Sequence, residues 1–352
     1  MERTYPNISI NIVAWNSMRF LPDLLASIEK QTYRNFTVLI IDNGSTDDME
    51  AFVRAQYPNV MILRNAKNLG FSAAHNQGIR YALDRWSPEV MDERYVLVTN
   101  PDIVLSETFL EELVKEANKH KEMGSFGGTL LRAFGEHLND EVLSETVKSD
   151  LIDSTGFRIR KNGTCSDRGA GEMNKGQYQS EMDVFGVTGA LVLYRATALQ
   201  DARYQDEFFD TDFFAYKEDA DLAWRLQHLG WGARFVPQAI AYHYRGMFGK
   251  EQMNLWERFK NRRQKSALLS YYSTRNQWLM LFKNLNISSF LLWSPRLLFT
   301  EGLRVVFTLL FETKNTRAFV DALLLLPKIM RKRKDLFKRR KQNAKALRHW
   351  FL

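Results

Sequence analysis

Cysteine and long apolar runs are scarce in this sequence, and both shortages limit what the protein can be. Cys165 is the single cysteine among 352 residues, which excludes an intrachain disulfide and a cysteine-built zinc site and fits a reducing compartment. Pro295, Arg296 and Glu301 interrupt the apolar stretches after residue 250, so none reaches the roughly 18–20 residues of a spanning helix. The first residues show no charged head followed by an apolar signal segment, and we therefore expect a cytoplasmic protein.

Two glycine-rich motifs of nucleotide-binding enzymes are absent as well. No Gly-x-Gly-x-x-Gly follows the first predicted strand, and the chain has no Gly-Lys-Ser or Gly-Lys-Thr. Enzymes that hold dinucleotides at a Rossmann turn, or triphosphates in a P-loop, depend on those motifs. The sequence therefore argues against both classes.

Acidic residues are scarce in the last part of the chain. The net charge is +8 overall, yet residues 250–352 hold 23 Lys and Arg against 6 Asp and Glu, whereas residues 1–249 carry a net charge of −9. The chain is 45% apolar and 13% aromatic, which is enough to bury a proper core. We predict a folded domain at 1–249 and a basic, amphipathic helical region at 250–352.

Strand and helix patterns alternate over the first hundred residues. Continuous apolar runs predict buried strands, and apolar residues at helical spacing predict the helices between them. The predicted strands include 8–15, 36–41, 60–63, 95–98, 184–194 and 234–243, and the predicted helices include 20–28, 72–85, 107–120 and 218–229. This order predicts an α/β fold with a mostly parallel sheet flanked by helices. Asn16 and the run 45–48 are predicted to cap helices.

Polar side chains follow three of the predicted strands at the point where each strand ends. Asn16 follows the first strand, residues 42–45 follow the second, and residues 100–102 follow the fourth. Ligands of parallel sheets bind at the carboxyl ends of the strands. Loops are often polar, so any one of these groups is equally well explained as an ordinary turn, but together they predict a binding site at one sheet edge.

The chain resembles the family 2 glycosyltransferases, which have the Rossmann-like GT-A fold. The motifs that carry the resemblance are 12–16 (IVAWN), 41–47 (IDNGSTD), 68–71 (NLGF), 76–78 (NQG), 100–102 (NPD) and 214–222 (FAYKEDADL). They span roughly residues 7–245 in the family's order. The greatest similarity is to the rhamnosyltransferase-like branch, which also tends to carry a pair such as Arg275 and Asn276 after the catalytic domain.

The resemblance implies a site for a nucleotide-sugar donor of the dTDP or UDP type. The residues it assigns to that donor are Ala14, Trp15, Asn16, Asp42, Asn68, Gly70, Phe71, Asn76, Asn100 and Asp102. Asp42 would accept a hydrogen bond from a pyrimidine ring N–H, and Asn76 would support the loop at Gly70 and Phe71. Trp15 would stack on the base, although a buried core tryptophan is an open alternative.

The resemblance also implies the catalytic groups. Asp219 would be the general base, and Asp102 and His243 would hold Mg²⁺ or Mn²⁺ on the diphosphate. Asn100 replaces the family's first aspartate, which removes one charge from the metal site. The residues assigned to the acceptor side are Gly186, Thr188, Gly189, Glu218 and Asp221. Two simpler readings stay open: a structural histidine at 243, and a first helical turn at 218–221 that is acidic because the macrodipole favours carboxylates.

Basic residues cluster near the end of the chain among apolar ones. The runs 331–334 and 338–341 are basic, and Leu336, Phe337 and Trp350 lie near them. This composition is typical of an interfacial helix on anionic lipid, and each Lys or Arg near such a surface contributes about 1 kcal/mol. Nucleic-acid binding is a weaker alternative because no recognisable nucleic-acid module accompanies the tail, and a solvated basic helix is another.

The sequence therefore predicts an inverting, metal-dependent glycosyltransferase peripheral to the inner face of the cell membrane. Its donor sugar would be L-rhamnose, and its acceptor a hydroxyl of a glycan or lipid-linked glycan. One alternative keeps the fold with galactofuranose or another hexose. A second is a non-catalytic protein that binds a nucleotide-sugar or nucleic acid, for which Asn100 is the best argument.

Overall fold

The computed structural model describes residues 7–135, 146–244 and 266–352. Within these ranges the body is built on a ten-stranded sheet, with a separate two-stranded ribbon of β8 and β9. The strands are β1 (Ile8–Ala14), β2 (Phe36–Asp42), β3 (Met61–Arg64), β4 (Tyr95–Thr99), β5 (Ile103–Leu105), β6 (Met123–Gly135), β7 (Thr146–Ser154), β8 (Phe157–Ile159), β9 (Cys165–Asp167), β10 (Asp183–Val184), β11 (Leu191–Arg195) and β12 (Gly232–Tyr244).

Helices cover both faces of the sheet and form the last part of the chain. They are α1 (Leu21–Glu29), α2 (Met49–Gln56), α3 (Gly70–Leu83), α4 (Phe109–Lys119), α5 (Ala196–Ala202), α6 (Glu218–His228), α7 (Ala267–Asn284), α8 (Ile287–Phe311), α9 (Arg317–Arg339) and α10 (Ala344–Leu347). Ile8, Ile10 and Ile12 of β1 are completely buried in a core shared with α1 and α4. Ile79 of α3 and Leu222 of α6 belong to a second core on the other side.

The first half of the sheet is parallel, as the sequence predicts. β1 pairs in parallel with β2 and β4, and β2 pairs in parallel with β3. Val96, Leu97 and Val98 of β4 are completely buried, which fits a strand covered on both faces. The carboxyl ends of β1, β2 and β4 therefore meet at one edge, where the polar residues of the sequence motifs lie.

The second half of the sheet is mixed, so the prediction of a mostly parallel sheet is wrong. The main path runs β10-β12-β6-β11-β4-β1-β2-β3, with β5 beside β12 and β7 beside β6. β11 is antiparallel to both of its neighbours, and β5, β7 and β10 also pair antiparallel. β6 and β12 form a parallel pair in this half, and the chain between them includes α5 and α6, in keeping with the long crossover that parallel pairing needs.

The two predicted helix caps are wrong, because the polar residues connect two loops instead. Asn16 has a left-handed φ of 50° and accepts a hydrogen bond from the Thr46 N–H at 2.8 Å. Asp47 accepts one from the Met18 N–H at 2.8 Å. α2 begins after Asp48, which makes no side-chain cap bond. The loops after β1 and β2 are therefore joined to each other.

The helical region packs on the body. Leu279 and Met280 of α7, Ala322 and Ile329 of α9 and Phe213 of the body share one buried core. The predicted helical region is present from residue 267 onward, and residues 245–265 lie outside the described ranges. None of the helices in the described part of the chain combines the length and the apolar character that crossing a bilayer requires.

Candidate active site

A cleft of about 380 Å³ opens at the carboxyl ends of β1, β2 and β4. Seven of the residues predicted to bind the donor line it: Trp15, Asn16, Asn68, Gly70, Phe71, Asn100 and Asp102. Phe214 and Ala215 also line it, although sequence reasoning did not assign them to the donor. The cleft has the size of a small-molecule site, and most of the sequence motifs converge on it.

Asp42 ends β2 and is completely buried beneath the loops that surround the cleft. Its Oδ1 accepts a hydrogen bond from the Ser45 N–H at 2.8 Å. Its Oδ2 has no hydrogen-bond partner in the described residues and lies 3.6 Å from the Arg64 Nε. A buried carboxylate oxygen without a donor is costly, and it is suited to accept a hydrogen bond from a ligand. Ala14 is buried beside it, and its carbonyl accepts from the Asn43 N–H at 2.8 Å.

Trp15 is 55% exposed at the mouth of the cleft, so the alternative of a buried core tryptophan is wrong. An exposed indole presents a flat apolar face that a planar base can cover. The structure thus leaves the stacking role available to Trp15.

Asn68 holds the loop at the start of α3, whereas the side chain of Asn76, which the sequence predicts to support that loop, bonds a different segment. The Asn68 Oδ1 accepts from the Gly70 N–H at 2.8 Å and from the Asn43 Nδ2 at 2.9 Å. Asn76 is buried, and its amide bonds the backbone of Phe208 and Phe209, so it supports the surrounding chain rather than facing the cleft. Gly70 has a φ of +81°, and a Cβ there would lie 2.6 Å from the Phe214 ring. Only glycine allows this close approach.

Asp102 lines the cleft, and His243 lies beside it. The His243 Nε2 is 3.4 Å from the Asp102 Oδ1, which is longer than a good hydrogen bond, and that oxygen has no hydrogen-bond partner in the described residues. The His243 Nδ1 is 2.8 Å from the Asp153 Oδ2, a contact that sequence reasoning missed. Burial lowers the pKa of His243, but the two carboxylates outweigh it and raise the pKa to about 9.

These residues fit a divalent cation with few protein ligands. Among the described residues there is no group of three or more His, Cys, Asp and Glu that could hold a metal ion. Asp102 offers a carboxylate oxygen without a donor, and Asp153 takes the second nitrogen of His243, as carboxylates do behind metal-bound histidines. A cation that displaced the proton held on His243 would have Asp102 and His243 as two ligands and phosphate oxygens at the other positions.

Asp219 lies in the first turn of α6 and connects to the same sheet edge. Its Oδ2 accepts from the Gly189 N–H at 2.9 Å, and its Oδ1 accepts from the Ala220 N–H at 2.7 Å. Burial raises the pKa of Asp219, and the two backbone hydrogen bonds oppose that effect. Ala190, which follows Gly189, accepts a hydrogen bond at its carbonyl from the Asn100 N–H at 2.9 Å. Gly189 and Ala190 thus join the base candidate to the loop that carries Asp102.

Of the residues predicted on the acceptor side, Gly189 bonds Asp219 and Thr188 lies next to Gly189, whereas Gly186 and Glu218 are buried. Thr188 is partly exposed beside Gly189, whereas Gly186 is buried against α6, where a Cβ would lie 2.3 Å from the Ala223 Cβ. Glu218 is buried, and burial together with the charge of Asp219 raises its pKa well above the usual range. Gly186 therefore serves helix packing, and Gly189 is the predicted glycine that touches Asp219.

Asp221 does not face the cleft, so its predicted contact with the acceptor is wrong. The side chain is completely buried. Its Oδ1 accepts from the Asn284 Nδ2 at 2.8 Å, and its Oδ2 accepts from the Arg225 Nε at 2.9 Å and the Lys283 Nζ at 2.8 Å. Two residues after Asp219 on a helix, the side chain points away from it and joins α6 to α7.

Comparisons with known proteins agree with this architecture. The model of glycosyl transferase family 2 matches residues 9–173, and that of glycosyl transferase family group 2 matches residues 159–330. The chain is 30% identical over 231 residues to the N-acetylglucosaminyl-diphospho-decaprenol L-rhamnosyltransferase of Mycobacterium tuberculosis, covering 64% of this chain and 72% of the relative.

Two solved structures share the fold at low sequence identity. S. aureus TarS 1-349 in complex with UDP-GlcNAc aligns over 94% of this chain and 89% of its own, with a TM-score of 0.52 and 15% identity. GalNAc-T7 with UDP, GalNAc and Mn²⁺ aligns over 79% of this chain, with a TM-score of 0.56 and 12% identity, and the match spans 49% of that structure. The family match and the mycobacterial relative, together with the GT-A-like fold, identify the chain as a glycosyltransferase that belongs to glycosyl transferase family 2.

Proposed function

We propose that the protein transfers L-rhamnose, with inversion, from a nucleotide diphosphate-sugar to a hydroxyl of a lipid-linked glycan. The observation that carries this proposal is the connection from Asp219 through Gly189 and Ala190 to Asn100, beside Asp102 and His243. This connection ties the Asp219 carboxylate to the loop that carries Asp102, which supports a base acting beside the diphosphate. The name of the mycobacterial relative supports both the sugar and the lipid-linked acceptor.

In the proposed reaction Asp219 takes the proton of the acceptor hydroxyl. The hydroxyl oxygen attacks the anomeric carbon of the donor sugar from the face opposite the nucleotide. The bond from that carbon to the diphosphate oxygen breaks, and the diphosphate leaves with the electron pair. Asp102 and His243 would hold Mg²⁺ or Mn²⁺, and the bound cation would supply positive charge to the leaving diphosphate. The Gly189 N–H bond fixes the Asp219 carboxylate, and this would keep it oriented towards the acceptor hydroxyl.

A thermal-shift panel tests the donor and the metal together. Uracil and thymine share a ring N–H that can donate to Asp42, whereas cytosine lacks it, so UDP and dTDP should raise the melting temperature more than CDP. Mn²⁺ should enlarge the shift of the melting temperature. Two protein ligands bind the cation weakly on their own, and the phosphate oxygens of the nucleotide supply the further ligands, so cation and nucleotide strengthen each other's binding. Nucleotide sugars of rhamnose, galactofuranose and other hexoses then rank the donors. Equal shifts with every nucleotide, with or without Mn²⁺, would count against the proposal.

Asp42→Asn should weaken UDP or dTDP binding by about tenfold to a hundredfold, because a hydrogen bond to a charged group is worth about 1.5–3 kcal/mol. The amide presents an NH₂ group where the carboxylate has an oxygen that accepts no hydrogen bond from the described residues. Titration calorimetry measures the change. Asp47→Asn is the matched control, since Asp47 lies in the same loop and bonds Met18 outside the cleft. Equal losses in both variants would contradict the assignment of Asp42.

We further propose that an anionic membrane surface binds the helical region, with α8 as the main contact. This helix exposes a row of large apolar side chains, namely Ile287, Leu291, Leu292, Leu298, Phe299, Leu303, Leu309, Leu310 and Phe311. Arg296, Lys314, Arg331, Lys334 and Lys338 are exposed on the same helical region. Exposed apolar and basic residues together match the interface of an anionic bilayer, at the cytoplasmic leaflet that the sequence predicts.

Fewer of the basic side chains in residues 331–341 are free to bind an anionic membrane than the sequence predicts. Lys332 is buried and bonds Asp210, Asp212 and Glu207, while Arg333 donates to the Phe282 carbonyl. Lys332 holds α9 on the body and Arg333 holds it on α7, so these two cations are not free to bind lipid. The expectation that the whole tail contacts anionic lipid, or equally nucleic acid, is therefore too broad.

Leu291→Glu with Phe299→Glu should lower retention on anionic liposomes at least about tenfold, because burying each apolar side chain contributes about 1.5–3 kcal/mol. These side chains are 67% and 68% exposed, so folding should not suffer. Co-sedimentation at low and high salt measures retention. Met173→Glu is the control, since Met173 is an apolar residue of the body that is 50% exposed. Binding indifferent to salt and to the double substitution would reject the surface.

A further inference from the structure

The segment that leads into α6 has an unfavourable backbone. Phe214, Tyr216 and Lys217 have φ values of 62°, 70° and 70°, in the left-handed region that residues other than glycine rarely adopt. Each such residue costs about 1–3 kcal/mol unless the surrounding structure fixes it. Three of them within four positions therefore need a strong external support.

That support comes from two neighbouring side chains of α7. The Nδ2 of Asn276, which is completely buried, lies 2.9 Å from the Phe213 carbonyl and 2.8 Å from the carbonyls of Ala215 and Tyr216. Arg275 donates to the carbonyls of Asp212 and Phe213. The Arg275 Nε also donates to the Asn276 Oδ1 at 3.0 Å, which turns the Asn276 NH₂ towards the segment.

The supported segment touches both halves of the active site. The Phe214 carbonyl accepts from the Phe71 N–H at 2.8 Å, and the Phe214 ring lies against Gly70 and stacks on Tyr272 at 5.1 Å. Phe214 also lines the donor cleft. At the other end, Lys217 directly precedes α6, whose first turn carries Asp219. A shift of this segment would therefore move a wall of the donor cleft and the base together.

We infer that Asn276, oriented by Arg275, is a positioning residue for sugar transfer that acts through the backbone of residues 212–217. The inference rests on the proposed function of Asp219 as the base. It gives the helical region a direct part in the active site, because α7 supplies the hydrogen-bond donors that the strained segment needs. Loss of the amide would let the segment relax and displace Asp219 from the acceptor hydroxyl.

The test compares Asn276→Ala with Gln277→Ala. Gln277 is the next residue of α7, is also completely buried, and donates from its amide to the Gly163 carbonyl at 3.1 Å, away from the segment. Both variants should lose stability in urea, Asn276→Ala by more, because the Asn276 amide bonds three carbonyls and the Gln277 amide bonds one. Hydrogen exchange of a peptide covering 212–217 should speed up in Asn276→Ala alone. With donor and acceptor saturating, kcat should fall about ten- to hundredfold in Asn276→Ala and stay near wild type in Gln277→Ala.

Arg275→Lys is a second variant in case Asn276→Ala does not fold. It keeps the charge and loses the bonds to the Asp212 and Phe213 carbonyls. Hydrogen exchange at 212–217 should speed up and kcat should fall, both by less than in Asn276→Ala. Equal kcat values and unchanged exchange at 212–217 in the Asn276 and Gln277 variants would overturn the inference. If the wild-type protein transfers no sugar, the proposed function fails, and faster exchange in Asn276→Ala would still establish the support of the segment by Asn276.

Discussion

Asp219→Asn should reduce sugar transfer by about 10²- to 10⁴-fold while nucleotide diphosphate affinity stays close to that of the wild type. General-base catalysis contributes about that much, and an amide cannot take a proton from the acceptor hydroxyl. Asparagine has nearly the same shape, and its oxygen can still accept the Gly189 N–H bond. The loss should therefore appear in kcat at saturating substrates, with calorimetry showing that the donor nucleotide still binds.

The pH profile of the wild type provides a second measurement on the same residue. Because burial raises the pKa of Asp219 above the usual range of an aspartate, the base stays protonated to a higher pH than an exposed carboxyl would. Turnover should fall as the pH drops through that raised pKa. The residual activity of Asp219→Asn should lack this acid limb. A limb that persists in the variant would belong to another group.

Glu218→Gln is the matched control for Asp219→Asn. Glu218 is the adjacent carboxyl of the same helical turn, and its pKa lies well above the usual range because the group is buried beside Asp219. Glutamine resembles the protonated form that this environment favours, so transfer should remain within a few-fold of the wild type. Unchanged turnover in Asp219→Asn would remove that residue from its role as the base, whereas a wild-type protein that binds the nucleotide and transfers no sugar would favour the non-catalytic alternative.

The sequence was sufficient to predict the parallel half of the fold and the position of the cleft. The run 36–41 is apolar because β2 is buried on both faces, and Asp42 is polar because it stands at the end of that strand. Such features depend on local patterns that repeat along one strand. The predicted strand at 184–194 is present only at its two ends, in β10 and β11, for the opposite reason: residues 185–190 leave the sheet, which brings Gly189 to Asp219, and that path depends on distant contacts.

Long-range partners explain the other gaps between sequence and structure. Asp153 lies 90 positions before His243, and their contact depends on the pairing of β6 with both β7 and β12. The left-handed backbone at Phe214 has no sequence signal, because glycine would be the usual residue there. Phenylalanine can adopt this conformation at position 214 because Asn276 supplies hydrogen bonds to the segment. Asn276 lies on a helix that begins some fifty residues later. Local patterns contain no information on such pairings.

Asp221→Asn should destabilise the protein by about 3–5 kcal/mol, because removing one partner of a buried ion pair leaves the other charges without compensation. Arg225 and Lys283 both donate to the Asp221 Oδ2, and each of these three side chains is at most 5% exposed. Chemical denaturation measures the free energy of unfolding. Asp206→Asn is the control, since Asp206 is 76% exposed and its pair with Arg203 should be worth less than about 1 kcal/mol.

The same variant distinguishes a structural role of Asp221 from the predicted contact with the acceptor. If Asp221 bound the acceptor, Asp221→Asn would raise the KM for the acceptor and leave the free energy of unfolding unchanged. If it joins α6 to α7, unfolding becomes easier, and the folded fraction keeps a near-normal acceptor KM. Asn284 donates to the other oxygen of Asp221, so Asn284→Ala should lower stability in the same direction but by less, because it removes no charge. A stable Asp221→Asn protein with weak acceptor binding would return Asp221 to the active site.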